Sequence, residues 1–161
     1  MMELIRACVL AGPWKLGAIC GGGSEMATDQ LNKYGISIGL AFQLQDDLLD
    51  TYADSDEFGK PVGGDILEGK KTFLLTNALA RADEPARRSL LELLSDRTIV
   101  SAEKIARVRA IYDRLGIREL TEKAVAAYFA DANLALDALE VAPDRLKPLR
   151  ELTAELQGRR K

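Results

Sequence analysis

Apolar residues recur at helical spacing along almost the whole chain, and nowhere do they alternate with period two for long enough to form a strand. Residues 3–20 are largely apolar and predict a helix, with a break or kink near Gly12-Pro13 because proline lacks the N–H a helix interior needs. Gly21-Gly22-Gly23 ends that segment, and Ser24 caps a second helix running to about Tyr52. Residues 53–64 read as loop. Asp65, with Glu68 three later, resembles a capping box opening a helix to about Ala82, with Phe73, Leu74, Leu75, Ala78 and Leu79 as its apolar face. Asp83-Glu84-Pro85 starts another, which carries Leu90, Leu91, Leu93 and Leu94. Ser101 is the expected cap of a helix through Ile105, Val108, Ile111, Tyr112 and Leu115, closed by Gly116. A long helix over 118–140 and a last one from Arg145 to about Gln157 follow, parted at Pro143-Asp144. The fold class is all-α. Trp14, Tyr34, Tyr112, Tyr128 and Phe129 read as core.

One stretch departs from ordinary amphipathic patterning. Between Gly39 and Asp50, the residues Gln43, Asp46, Asp47 and Asp50 fall within an arc of roughly 100° on a helix. Nearly everything else on the circumference is apolar: Ile38, Leu40, Ala41, Phe42, Leu44, Leu48 and Leu49. A surface helix shows the reverse proportions. The pattern therefore predicts a buried helix whose narrow acidic stripe faces a cavity. Carboxylates on one buried arc repel one another and resist ionisation without a partner. A hard divalent cation supplies one. Mg²⁺ takes one or two protein carboxylates and completes its shell with water and phosphate oxygens. Asp46 and Asp50, four apart, are placed to share it.

The following segment carries the opposite charge. Phe58-Gly59-Lys60 and Gly63-Gly64-Asp65, then Gly69-Lys70-Lys71-Thr72, make a glycine-rich run with three lysines. Lysines beside metal-binding carboxylates point to an anionic ligand such as a diphosphate. Asp54, Asp56 and Glu57 read as solvated loop acids.

The ordered run Phe42-Gln43-x-x-Asp46-Asp47-x-x-Asp50, Gly59-Lys60, Gly63-x-Asp65, Gly69-Lys70-x-Thr72 resembles the second aspartate-rich motif of the trans-isoprenyl diphosphate synthases. These make farnesyl, geranylgeranyl and longer polyprenyl diphosphates. The resemblance implies a partial α-helical bundle of the isoprenoid synthase type. It also implies an Mg²⁺-dependent prenyltransferase that condenses an allylic diphosphate with isopentenyl diphosphate. By that resemblance Asp46 and Lys60 are catalytic; Asp46, Asp47 and Asp50 hold metal; Gln43, Lys60, Lys70 and Thr72 bind substrate. The Gly59-Lys60 and Gly69-Lys70-x-Thr72 pattern sets the chain apart from terpene cyclases. Where the family usually has a Lys-Thr pair in the preceding helix, this chain has Ile5-Arg6.

The resemblance covers the C-terminal half of such an enzyme. The 161 residues contain no second Asp-Asp-x-x-Asp. The expected partners are the missing N-terminal half or a second copy in a dimer, over exposed apolar surface. The alternative function is a non-catalytic helical partner or regulatory subunit of a complete synthase. Composition narrows the rest. A net charge of −3 gives no electrostatic footprint for nucleic acid, and the absence of histidine removes imidazole metal sites and proton relays. Cys8 and Cys20, without metal-type spacing, read as reduced core thiols of a cytoplasmic protein. No apolar run is long enough to span a bilayer, and the N-terminus lacks the charged start of a signal peptide.

Overall fold

The structure, a computed structural model, describes residues 2–53 and 62–159, with residues 2–10 described at the backbone alone. The described residues form eight helices and no strand: α1 (Met2–Cys20), α2 (Glu25–Tyr52), α3 (Gly64–Leu67), α4 (Phe73–Arg81), α5 (Glu84–Ser95), α6 (Ser101–Arg114), α7 (Ile117–Asp137) and α8 (Pro143–Gln157). The all-α expectation holds. They form two compact units, Met1–Gln43 with Ala124–Arg160, and Leu44–Lys123.

In the first unit α1 and the front of α2 meet at a glycine. A Cβ on Gly35 would lie 2.6 Å from Trp14 Cδ1 and 2.8 Å from the Ala11 Cα, so only glycine allows this approach. The Trp14 ring stands edge-on to Tyr34, centroids 5.3 Å apart. Tyr34 is fully buried, and its hydroxyl donates to the Leu149 carbonyl at 3.1 Å and lies 3.1 Å from Thr153 Oγ1. Thr153 in turn donates to the same carbonyl at 2.8 Å. Arg159 stacks over Phe42 at 4.8 Å. Ser24 caps α2 as expected, its Oγ accepting from the Ala27 N–H.

The second unit packs Ile66, Leu74, Leu75, Leu90, Leu93, Val108, Tyr112 and Ile117 into one core. Asp83 caps α5 by accepting from Ala86, and Gly116 closes α6 with φ +65°. Lys104 is buried, yet its ammonium is satisfied: Nζ donates to the carbonyls of Leu94 and Asp96, where α5 ends.

Four expectations are corrected. Pro13 does not break α1, which runs through it. The ring is exposed, and water can bond the one carbonyl its missing N–H leaves behind. The expected helix from Asp65 to Ala82 is two elements. Gly63, at φ +89°, takes the cap position of α3; Gly69, at φ +63°, ends the turn; and Thr72, extended, caps α4 through Leu75 N–H. Asp65 is therefore no cap, because its carboxylate is committed to Lys70. Ser101 stands one residue inside α6, since Val100 holds the extended cap geometry without a side-chain bond. Cys20 is exposed rather than core, at the solvent end of α1. Of the aromatic residues read as core, Tyr34, Tyr112 and Phe129 are buried, while Trp14 and Tyr128 are partly covered. Leu16 and Ile19 on α1 are 62% and 55% exposed, and Leu134 on α7 is 65% exposed.

Candidate acidic and lysine cluster

The site begins with the last turns of α2. Asp47 is 1% exposed and Thr51, one turn on, is buried as well. Asp46 and Asp50 are half-buried. Across from them the chain returns through Gly63-Gly64-Asp65 and is fastened to Asp50 twice. Gly63 N–H donates to the Asp50 carbonyl at 2.6 Å, and Asp65 N–H donates to Asp50 Oδ2 at 2.9 Å. Gly63 is demanded by this fit, and Gly64 sits in a tight one. A Cβ on Gly63 would lie 2.5 Å from Ile105 Cδ1, and one on Gly64 would stand 3.3 Å from Asp50 Oδ1. Gly63 also needs its positive φ.

Lys70 closes the cluster. Its Nζ donates to both oxygens of Asp65, at 2.7 and 2.8 Å, and lies 3.9 Å from Asp47 Oδ1. Two carboxylates from different parts of the chain thus share one ammonium. Behind them, Thr51, Asp65, Lys70, Thr72 and Tyr112 line a crevice too narrow to hold water. Burial pushes the Asp50 carboxyl above the usual carboxylate range. The Asp65 N–H, the Lys70 charge and the Gly64 N–H pull it back, while the Asp65 charge adds to the rise. Burial, with Asp65 nearby, raises the Tyr112 phenol too.

The structure brings Asp47, Asp50, Asp65 and Lys70 together and leaves Asp46 half-buried on the same helix. The stripe is not one uniform acidic face: Asp47 turns inward to Lys70, whereas Asp46 and Asp50 keep partial exposure. Gln43 is buried on α2 and belongs to the first unit. Thr72 is buried at the foot of α4, its hydroxyl accepting from Leu75 N–H at 3.2 Å. Lys60 lies outside the described residues, as do Asp54, Asp56, Glu57 and Gly59. Sequence reasoning missed Thr51, whose signal was its i+4 spacing from Asp47, and the pairing of Asp65 with Lys70, five apart across a turn.

The donor set can be tested against a cation. Among the described residues, no three His, Cys, Asp or Glu side chains gather closely enough to enclose a metal. A closed protein cage is therefore not what these acids form. Two half-exposed carboxylates one helical turn apart, Asp46 and Asp50, suit the open kind of site in which Mg²⁺ takes its other oxygens from water and phosphate.

The chain is similar to known prenyl diphosphate synthases. The chain is 41% identical to a short chain isoprenyl diphosphate synthase of Methanothermobacter thermautotrophicus over 157 residues, covering 95% of this chain and 44% of that protein. A solved geranylgeranyl pyrophosphate synthase superposes on 99% of this chain and 50% of its own, with a TM-score of 0.86 at 31% identity. The Corynebacterium glutamicum geranylgeranyl pyrophosphate synthase, solved with isoprenyl diphosphate and magnesium, covers 94% of this chain and 43% of its own at TM-score 0.82 and 35% identity. The fold is that of these all-α synthases. The chain spans about half the length of the relatives it matches. Residues 3–115, which contain the whole acid and lysine cluster, match the polyprenyl synthetase family, and the chain belongs to that family.

Proposed function

We propose that this chain carries the diphosphate-activating part of a prenyltransferase that joins an allylic diphosphate to isopentenyl diphosphate. The observation that carries the reading is the cluster at the end of α2, where Asp65 holds Lys70 in place beside Asp47 and Asp50, with Asp46 half-buried one turn before Asp50. Ionising an allylic C–O bond leaves an allylic cation and one further negative charge building on the departing diphosphate, and fixed positive charge lowers that barrier. Asp46 is the best-placed metal ligand and Asp50 the second. Asp47, closed in by burial, stands 3.9 Å from Lys70 and adds negative charge beside it. Mg²⁺ bound there would supply Lewis-acid stabilisation of the leaving diphosphate and a template for its oxygens. Lys70 would add its positive charge to the same oxygens. Lys60 would join it by the motif, and Gln43 would line the substrate space. Thr72 fixes the start of α4, so its contribution to substrate runs through the placement of Lys70 two residues before it.

The half-length match favours a second reading beside this one. A Bacillus subtilis relative, 33% identical over 119 residues, is called heptaprenyl diphosphate synthase component 2. This chain would then work as one component with another, or with a second copy of itself. Cytoplasmic location fits both readings. No helix among the described residues is long and apolar enough to cross a membrane.

The test is turnover: purified chain with Mg²⁺, geranyl diphosphate and labelled isopentenyl diphosphate, and Asp46→Ala as control. Product from the wild type that is lost in the variant is the expected result. Absence of product, together with no Mg²⁺-dependent binding of inorganic diphosphate in calorimetry, would sink the proposal. Diphosphate binding without product would point to the two-component reading.

A further inference from the structure

Asp65 and Asp47 both stand close to the Lys70 ammonium, and they are not equivalent. Asp65 grips its ammonium with both oxygens at 2.7 and 2.8 Å, while Asp47 Oδ1 stands off at 3.9 Å. The stronger grip comes from a residue that is itself immobilised. Asp65 N–H is spent on Asp50 Oδ2, the preceding Gly63 N–H is spent on the Asp50 carbonyl, and the Asp65 carbonyl accepts from Lys70 N–H at 2.9 Å. Asp65 is thus bonded to Lys70 by side chain and by backbone at once, and to α2 at the same time. A lysine side chain has four rotatable bonds and loses rotamer entropy when held in one place. Here that ordering is done before any ligand arrives.

We infer that Asp65 is the positioning residue of this cluster: its carboxylate sets where the Lys70 ammonium stands against α2, so that an anionic phosphate ligand meets a preplaced cation. Asp65 does this from behind the lysine and does not itself touch the ligand. The assignment takes its ligand from the function proposed above, but its geometry is independent of it. Lys71 is the internal contrast, a neighbouring lysine that is exposed.

Amine acylation by a succinimidyl ester, read by peptide mass spectrometry on metal-free protein at one pH, separates the two lysines without any need for activity. Lys70 should label several-fold more slowly than Lys71. Asp65→Asn should release it, bringing its rate close to that of Lys71, while Asp65→Glu restores protection and the Lys71 rate stays constant in all variants. Asp47→Asn should leave Lys70 protected, because the 3.9 Å contact is not the one that holds it. Protection lost in Asp47→Asn but kept in Asp65→Asn would overturn the assignment, as would equal labelling of Lys70 in wild type and Asp65→Asn. Should Asp65→Asn not fold, Asp47→Asn and Asp65→Glu still decide by the same criterion. In parallel, calorimetry with inorganic diphosphate and Mg²⁺ should show affinity falling on the order of ten-fold in Asp65→Asn and returning in Asp65→Glu. A wild type that binds no diphosphate refutes the proposed function alone, since the labelling result stands by itself.

Discussion

Two regions of this molecule bury polar side chains, and they do it in opposite ways. In the first unit, Tyr34, Thr153 and the Leu149 carbonyl form a neutral network in which each hydroxyl meets a partner within 3.1 Å. In the second, Asp47, Asp50, Asp65 and Lys70 form an ionic cluster with an excess of acid. A satisfied neutral network costs little and fixes one packing arrangement. A buried ionic cluster pays large desolvation penalties and is a poor way to gain stability. The first is what a core needs. The second makes physical sense only if the acids and the lysine have something to bind, and perturbed carboxyls in such clusters mark functional sites. Removing one member should therefore hurt the two regions very unequally.

The largest effect is expected from Lys70→Met. The substitution keeps the aliphatic stem and deletes the charge that Asp47 and Asp65 share. Breaking a buried pair from one side costs about 3 kcal/mol. For a chain of this size that corresponds to a drop of about 9 °C in thermal midpoint. Adding Asp47→Asn to the same protein should recover part of it, since the side chain left facing the deleted ammonium is 1% exposed and is then an amide rather than an acid. A midpoint unmoved by Lys70→Met in thermal denaturation would show that the cluster is solvated and the contrast between the regions false.

Tyr34→Phe should act on the neutral region and cost less, about 1 kcal/mol or about 3 °C. The Leu149 carbonyl keeps its 2.8 Å bond from Thr153, so no buried acceptor is stranded. The variant should leave diphosphate binding untouched. A loss as large as that of Lys70→Met would mean that the neutral network, too, is under strain.

What was readable beforehand was what is local. Helices in both units came from apolar periodicity and capping chemistry. Ser24, Asp83 and Gly116 did in the fold what their residue types suggest. The acidic stripe was readable for the same reason, as an i, i+4 pattern on one helix. The turn behind it was not. Asp65 and Glu68 have the letters of a capping box, yet Gly63 takes the cap, because the turn must bring Gly63 N–H to the Asp50 carbonyl and leave room for Ile105. The partner that decides the conformation lies forty-two residues away in sequence, where no local pattern can see it. Asp65 then goes to Lys70 rather than to a helix end. Lys104 is the same lesson elsewhere: a lysine on an amphipathic helix reads as solvent-facing, and it is buried because the end of α5 presents two carbonyls to it.

The finest comparison is within the cluster, between charge and shape, and Asp50→Asn makes it. The amide keeps an oxygen for the Asp65 N–H, gives up the second acceptor toward the Gly64 N–H, and removes the ionisation. Burial, reinforced by the neighbouring Asp65 charge, raises the Asp50 carboxyl above its unfolded value. A raised folded-state pKa means that the native protein holds its proton more tightly than the unfolded chain. The stability this brings is present in full below the unfolded pKa and is lost as pH rises through the folded one. Above that point the wild type carries an ionised carboxylate at a cost that asparagine does not share. Thermal midpoints measured in chelator should therefore favour Asp50→Asn near neutral pH, with the advantage shrinking toward zero in the acid range. Mg²⁺ with diphosphate, added near neutral pH, should raise the wild-type midpoint and leave that of the variant almost still, because only the ionised acid gains from a cation. A difference between the two proteins that stays the same at every pH would locate the effect in packing and remove the electrostatic reason for reading this carboxylate as a ligand.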